Sequence, residues 1–154
     1  MSNRKLLLLN LLFVSIIQSG NAKEKKLSSL ENLWQNKKPK NYEYIIKVAN
    51  PTYGPLTTGP FCVKVKNGQL FSVKFDSTAF VPDTTIVPEE WWAEYSIEYL
   101  LGLINSAKEM KVKKINFEMD SIYGYPKYMY IDYDSSKVDD EVLFKVYKFK
   151  VMNK

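Results

Sequence analysis

The chain has 154 residues, 45% of them hydrophobic and 25% charged, which are the proportions of one ordinary folded domain and exclude disorder or collagen-like repeats. It contains no histidine and one cysteine, so histidine triads, histidine metal sites, CxxC redox pairs and an internal disulfide have no residues to be built from. The formal net charge is +5, and Arg4 is the only basic residue that is not a lysine.

Residues 1–22 read as an export signal rather than as part of the fold. Arg4 and Lys5 form the positive start, Leu6 to Ile17 is apolar apart from Asn10 and Ser15, and Gly20 and Ala22 supply small residues before a cut after Ala22. The apolar run is too short for a bilayer core, which takes about 20 helical residues. The expectation is a periplasmic or extracellular product without stable membrane insertion, folded as a single domain over residues 23–154. Cleavage leaves 20 basic and 17 acidic residues, a mild excess spread along the sequence. Lysine lacks the planar fork with which arginine grips phosphate, and the charges are not gathered on one stripe of the sequence, so this excess argues against nucleic acid as a partner and against a membrane-surface role.

Leu27, Leu30, Leu33 and Trp34 recur at helical spacing, Ser28 and Glu31 stand as a capping box, and Pro39 closes the segment, giving a short helix over about 28–37. From Tyr42 to Val48 the tyrosines and aliphatics alternate with Glu43 and Lys47, the pattern of a half-buried strand. Residues 50–60 hold three prolines and two glycines, a long link and the first candidate functional loop. Strands follow at about 61–65 and 69–75. A three-residue turn with Gly68 left-handed, pairing Val65 with Gln69 and Val63 with Phe71, gathers Phe61, Val63, Val65, Phe71, Val73 and Phe75 on one face. Cys62, inside this run, is either buried in the sheet or an intermolecular link, and the apolar alternation favours burial.

Residues 76–87 are irregular, and Pro88-Glu89-Glu90 reads as a helix start, with the proline in the first turn and the acids beside the positive end of the dipole. A main helix begins by Ser96, with Ile97, Leu100, Leu101, Ile104 and Ala107 forming one apolar stripe. Three more strands come at about 113–119, 127–133 and 141–151. In the last, Val142, Phe144 and Val146 are out of phase with Phe149 and Val151, which calls for a bulge near Tyr147 or Lys148. The order is helix, three strands, helix, three strands. Hairpin-length links make the class α+β: an antiparallel sheet of about six strands in two trios, one main amphipathic helix on a face, and a short N-terminal helix.

The run from Asp132 to Glu141 is acidic, but Lys137 and Leu143 stand where a calcium loop needs glycine and glutamate, so no metal site is expected. No serine or cysteine sits in a glycine-rich strand-to-helix turn, and no catalytic residue or cofactor is assigned. Residues 123–133 hold five of the eleven tyrosines. Tyr123 and Tyr125 flank Gly124 before Pro126, so two rings on one rigid corner either bind a partner or plug the edge of the core; the packing preference of aromatics favours the second.

The tyrosine strand with Tyr42 and Tyr44, the hairpin with Val63, Val65, Asn67 and Gly68, the helix from Ser96 to Ile104, and Tyr123 to Pro126 leading to Ile131, Asp132 and Asp140 are a set. Together they resemble a family of bacterial exported proteins and lipoproteins classified only as a domain of unknown function. Members often carry a Cys-x-Cys pair and a lipid-anchor cysteine, where this chain has Cys62 alone. The resemblance implies an extracytoplasmic α+β domain and supplies no activity. The expected role is a non-enzymatic binding module of the cell envelope, with an envelope protein or small ligand as partner. The alternative is a histidine-free hydrolase or another small extracytoplasmic enzyme.

Overall fold

The computed structural model describes residues 29, 32–49, 59–76, 87–134, 136–137 and 140–153. The signal-like segment and most of the loop expected over 50–60 lie outside them.

Six strands form one sheet: β1 (Tyr42–Ala49), β2 (Phe61–Lys66), β3 (Gln69–Phe75), β4 (Lys114–Met119), β5 (Pro126–Asp132) and β6 (Glu141–Val151). Their spatial order is β3-β2-β1-β6-β5-β4, and every pairing is antiparallel. Each trio is a meander, and the two halves join where the first strand lies beside the last. The helical segments among the described residues are helix α1, described over 32–37, a 3-10 helix (Glu89–Tyr95) and helix α2 (Ile97–Glu109). The α+β class and the alternation of helix and strand trio follow the pattern read from the sequence.

These three described helical pieces contribute to one core on one face of the sheet. The stripe of α2, Ile97, Leu100, Leu101, Ile104 and Ala107, is buried, and Ser96 caps the helix, its Oγ accepting from the Tyr99 N–H at 3.1 Å. Trp34 of α1 is fully buried, and its indole N–H donates to Glu98 Oε1 at 3.2 Å. Lys38 Nζ approaches the same carboxylate at 3.1 Å, tying the first helix to the second. The segment after Pro88 is a 3-10 helix because its inward side chains, Trp92 and Tyr95, are spaced by three, which that helix places in line. Trp92 Nε1 donates to the Val87 carbonyl at 3.0 Å, and the Tyr44 hydroxyl donates to the Tyr95 carbonyl at 2.6 Å. Pro88 stands before this helix as its cap, not within its first turn.

The first hairpin departs from the expected register. Lys66 pairs with Gln69 and Val65 with Leu70 across a two-residue turn, in which Asn67 and Gly68 both have positive φ, 52° and 78°. The turn is held from outside: Gly68 N–H donates to the Lys40 carbonyl at 2.8 Å and Asn67 N–H to Asn41 Oδ1 at 2.9 Å. The bulge lies inside β3, where Phe71 is the extra residue between the pairs Val65–Leu70 and Lys64–Ser72. Leu70, Val73 and Phe75 therefore reach the core while Phe71 is turned out, 53% exposed beneath Lys66 Nζ. The inward phase is recovered, but not by the expected pairs Val65–Gln69 and Val63–Phe71.

The bulge expected in the last strand is present. Glu43 pairs with Lys150 and Ile45 with Tyr147, so β6 has one residue more than β1 over this stretch, and Lys148 lies at φ 54°. Phe149 thereby turns inward, to rings contributed by Trp34, Tyr42, Tyr44, Tyr123 and Tyr125. Val151 stays exposed at the strand end.

Candidate functional site

The corner from Asp120 to Tyr125 links β4 to β5. Asp120 organises it: Oδ1 accepts from the N–H groups of Ile122 and Tyr123 at 2.9 and 2.7 Å, and the backbone of Asp120 bonds Gly124 and Tyr125. Gly124 supplies a left-handed residue at φ 78°. Both candidate rings are directed to Phe149. Tyr125 stacks on it at 4.4 Å and is only 7% exposed, while Tyr123 is half-buried, its ring 5.5 Å away. Little of Tyr125 is left for a partner. Burial, with the Asp120 carboxylate adding to it, holds the Tyr125 hydroxyl up to about 12, so it is a neutral phenol at ordinary pH.

The opposite face of the sheet is uncovered among the described residues. Strand alternation sends Ile45, Cys62, Tyr128, Tyr130, Leu143 and Tyr147 to this side, all half-buried. Register gathers them: Ile45 lies opposite Cys62 on one side and Tyr147 on the other, and Tyr130 lies opposite Leu143. Lysines are set around and between them, Lys47 on β1, Lys64 and Lys66 on β2, Lys74 on β3, Lys114 on β4, Lys127 on β5, and Lys145 and Lys150 on β6. The acids here are Glu43, Glu118, Asp132 and Glu141, with Asp76 just past β3. Lys64 meets Glu43 at 3.6 Å, Lys127 pairs with Glu118, and Lys114 Nζ lies 5.6 Å from the centre of the Tyr130 ring. The basic residues that look scattered in the sequence are thus concentrated by strand pairing. Nothing in one strand signals this beyond a lysine at an outward position; the neighbours come from the sheet order.

Cys62 is half-buried on this face rather than in the core as expected, because it alternates with the inward Phe61 and Val63. Burial pushes its thiol up, and nearby Lys64 pulls only partly back, which keeps it protonated and a weak nucleophile. At the acidic turn Asp134 Oδ1 accepts from the N–H and hydroxyl of Ser136 at 3.0 and 2.7 Å, which together lower its pKa. Asp132 and Glu141 face each other across the strands. Among the described residues, Oδ1 of Asp132 and of Asp140 are buried without a hydrogen-bond partner. Among the described residues no group of acids and cysteine is arranged to hold a metal ion, and no helix is long and apolar enough to cross a membrane.

Fold and surface together define a small α+β domain with a helix-covered sheet face and a second face of tyrosines and lysines. The chain belongs to the DUF6174 family, a family of unknown function whose model matches residues 26–151. No curated protein and no solved structure matches it.

Proposed function

We propose that the protein is an exported domain of the cell envelope, cut near Ala22, that binds a partner rather than catalysing a reaction. One observation carries the binding reading: the face of the sheet that the described residues leave uncovered joins half-buried Ile45, Leu143, Tyr128, Tyr130 and Tyr147 across adjacent strands. Tyrosines with a polar tip and a low entropic cost of fixing are suited to such contacts. Support for export is the three-part segment over residues 1–22.

Two measurements test this. The intact mass of the protein recovered from the envelope fraction is expected to begin at Lys23; a chain retaining Met1 in the cytoplasm overturns export. Lysine methylation, followed by peptide mass spectrometry, reads the face directly. With a whole envelope fraction present, its membranes and proteins together, Lys47 and Lys145 are expected to be shielded while Lys37 and Lys113 still react. Equal reactivity of all four, with and without the envelope fraction, overturns the reading.

A further inference from the structure

Lys47 and Lys145 lie directly opposite each other on the two central strands, β1 and β6. Opposed side chains of an antiparallel pair have Cβ atoms about 5 Å apart, where like charges repel. Among the described residues neither lysine has an ion-pair partner. The nearest acids in the same row are Glu118, already paired with Lys127 and separated from Lys145 by Tyr128, and Asp76, beyond the intervening strand β2. The imbalance extends over the whole face. Eight lysines and five acids point to it, while the remaining described residues hold eight lysines and eight acids. The entire excess of positive charge in the described structure therefore sits on the face that no described helix covers.

We propose that this face docks on the surface of an acidic phospholipid membrane, with Lys47 and Lys145 at the centre of contact. The proposal rests on the reading of the face as a binding surface and adds its partner. Charge complementarity selects an anion. The form of the cations selects a lipid surface over an acidic protein: all are lysines, point charges on flexible stems, which suit mobile headgroups and lack the fork that would orient a fixed carboxylate. The rings agree. Tyr128 lies opposite Lys145, and Phe71, outward and half-exposed beside Lys66, places an aromatic at the rim of the same face, the amphipathic arrangement found at headgroup depth. A like-charge pair that costs stability in the free protein is relieved when phosphates settle over it, so the anion is bound where repulsion is largest.

The test is sedimentation of the full chain with vesicles of phosphatidylcholine containing roughly one-third phosphatidylglycerol, and with phosphatidylcholine alone. Binding to the anionic vesicles is expected to fall steeply between ~0.05 and ~0.5 M salt. The double variant Lys47→Glu/Lys145→Glu is expected to bind at least about twenty-fold more weakly, since each lysine at such a surface contributes about five-fold. A control, Lys37→Glu/Lys113→Glu, changes net charge equally away from the face and is expected to bind like the parent. All forms share the same N-terminal segment, so its contribution cancels, and circular dichroism verifies that each is folded. Equal loss in both variants, or no preference for anionic vesicles, overturns the membrane proposal. If vesicles are ignored while Lys47 and Lys145 remain shielded in the envelope fraction, the binding face stands and only its partner is wrong. If neither occurs, both readings fall.

Discussion

Phe149 and Tyr125 stack with ring centroids 4.4 Å apart and planes within 15° of parallel. One ring comes from the last strand and the other from the corner before the fifth. They meet because the left-handed residue Lys148 shifts the phase of β6 by one position. The contact joins the corner to the wall formed by Trp34, Tyr42 and Tyr44.

Tyr125→Ala removes a buried ring from this stack and is expected to cost about 3 kcal/mol, in the range of large-to-small aromatic truncations. Tyr125→Phe keeps the ring and is expected to change stability by less than about 1 kcal/mol. Urea unfolding of the two variants checks the pair. A melting profile unchanged in the alanine variant contradicts the packing geometry.

Lys148 occupies a conformation that costs an L-residue roughly 1 kcal/mol and glycine nothing. Lys148→Gly is therefore expected to stabilise the protein by up to about 1 kcal/mol, and Lys148→Val to destabilise it by more than that. Thermal denaturation separates them, and destabilisation by glycine speaks against the bulge.

The corrected hairpin register makes a contrast between neighbours. Phe71→Ala is expected to cost no more than about 1 kcal/mol, the worth of an exposed ring under a lysine. Val73→Ala, at a buried position, is expected to cost about 2 kcal/mol. The opposite order would restore the register in which Phe71 faces inward.

High pH probes the buried phenols. Burial, aided by Glu94, holds the Tyr95 hydroxyl up to about 12, and Tyr125 stands at the same level. Burial also raises Tyr42 and Tyr44. Unfolded tyrosine ionises near 10, so as pH rises from 10 to 12 the unfolded chain loses protons that the folded chain retains, and stability falls. Below pH 10 these groups contribute no pH dependence. Urea midpoints measured from pH 9 to pH 12 are expected to decline only in the upper part of that range, with phenolate absorbance from the buried tyrosines appearing together with unfolding.

Much of the architecture was legible because its signals are local. The stripe from Ile97 to Ala107 has helical period, Tyr42 to Val48 has strand period, and the phase break between Val146 and Phe149 called for the bulge that Lys148 makes. The first hairpin was misread through the assumption that Phe71 had to be inside. Hydrophobicity named it as core, whereas the Asn67–Gly68 turn, bonded to Lys40 and Asn41, fixed the pairing and left Phe71 as the surplus residue. Cys62 failed for a related reason: an apolar run suggests burial, but alternation beside Phe61 and Val63 sends it outward.

The sequence by itself determined the segment types, the inward phase of most strands and the poverty of catalytic groups imposed by lacking histidine. Only the tertiary structure decided that β1 lies beside β6, that Lys47 consequently opposes Lys145, and that Tyr123 and Tyr125 converge on Phe149. The physical reason is that side-chain alternation carries one piece of information, inward or outward, with a period of two residues. Which strand lies alongside, and in what register, is settled by packing and hydrogen bonding among segments up to about a hundred residues apart, and the character of the open face is a property of those pairings.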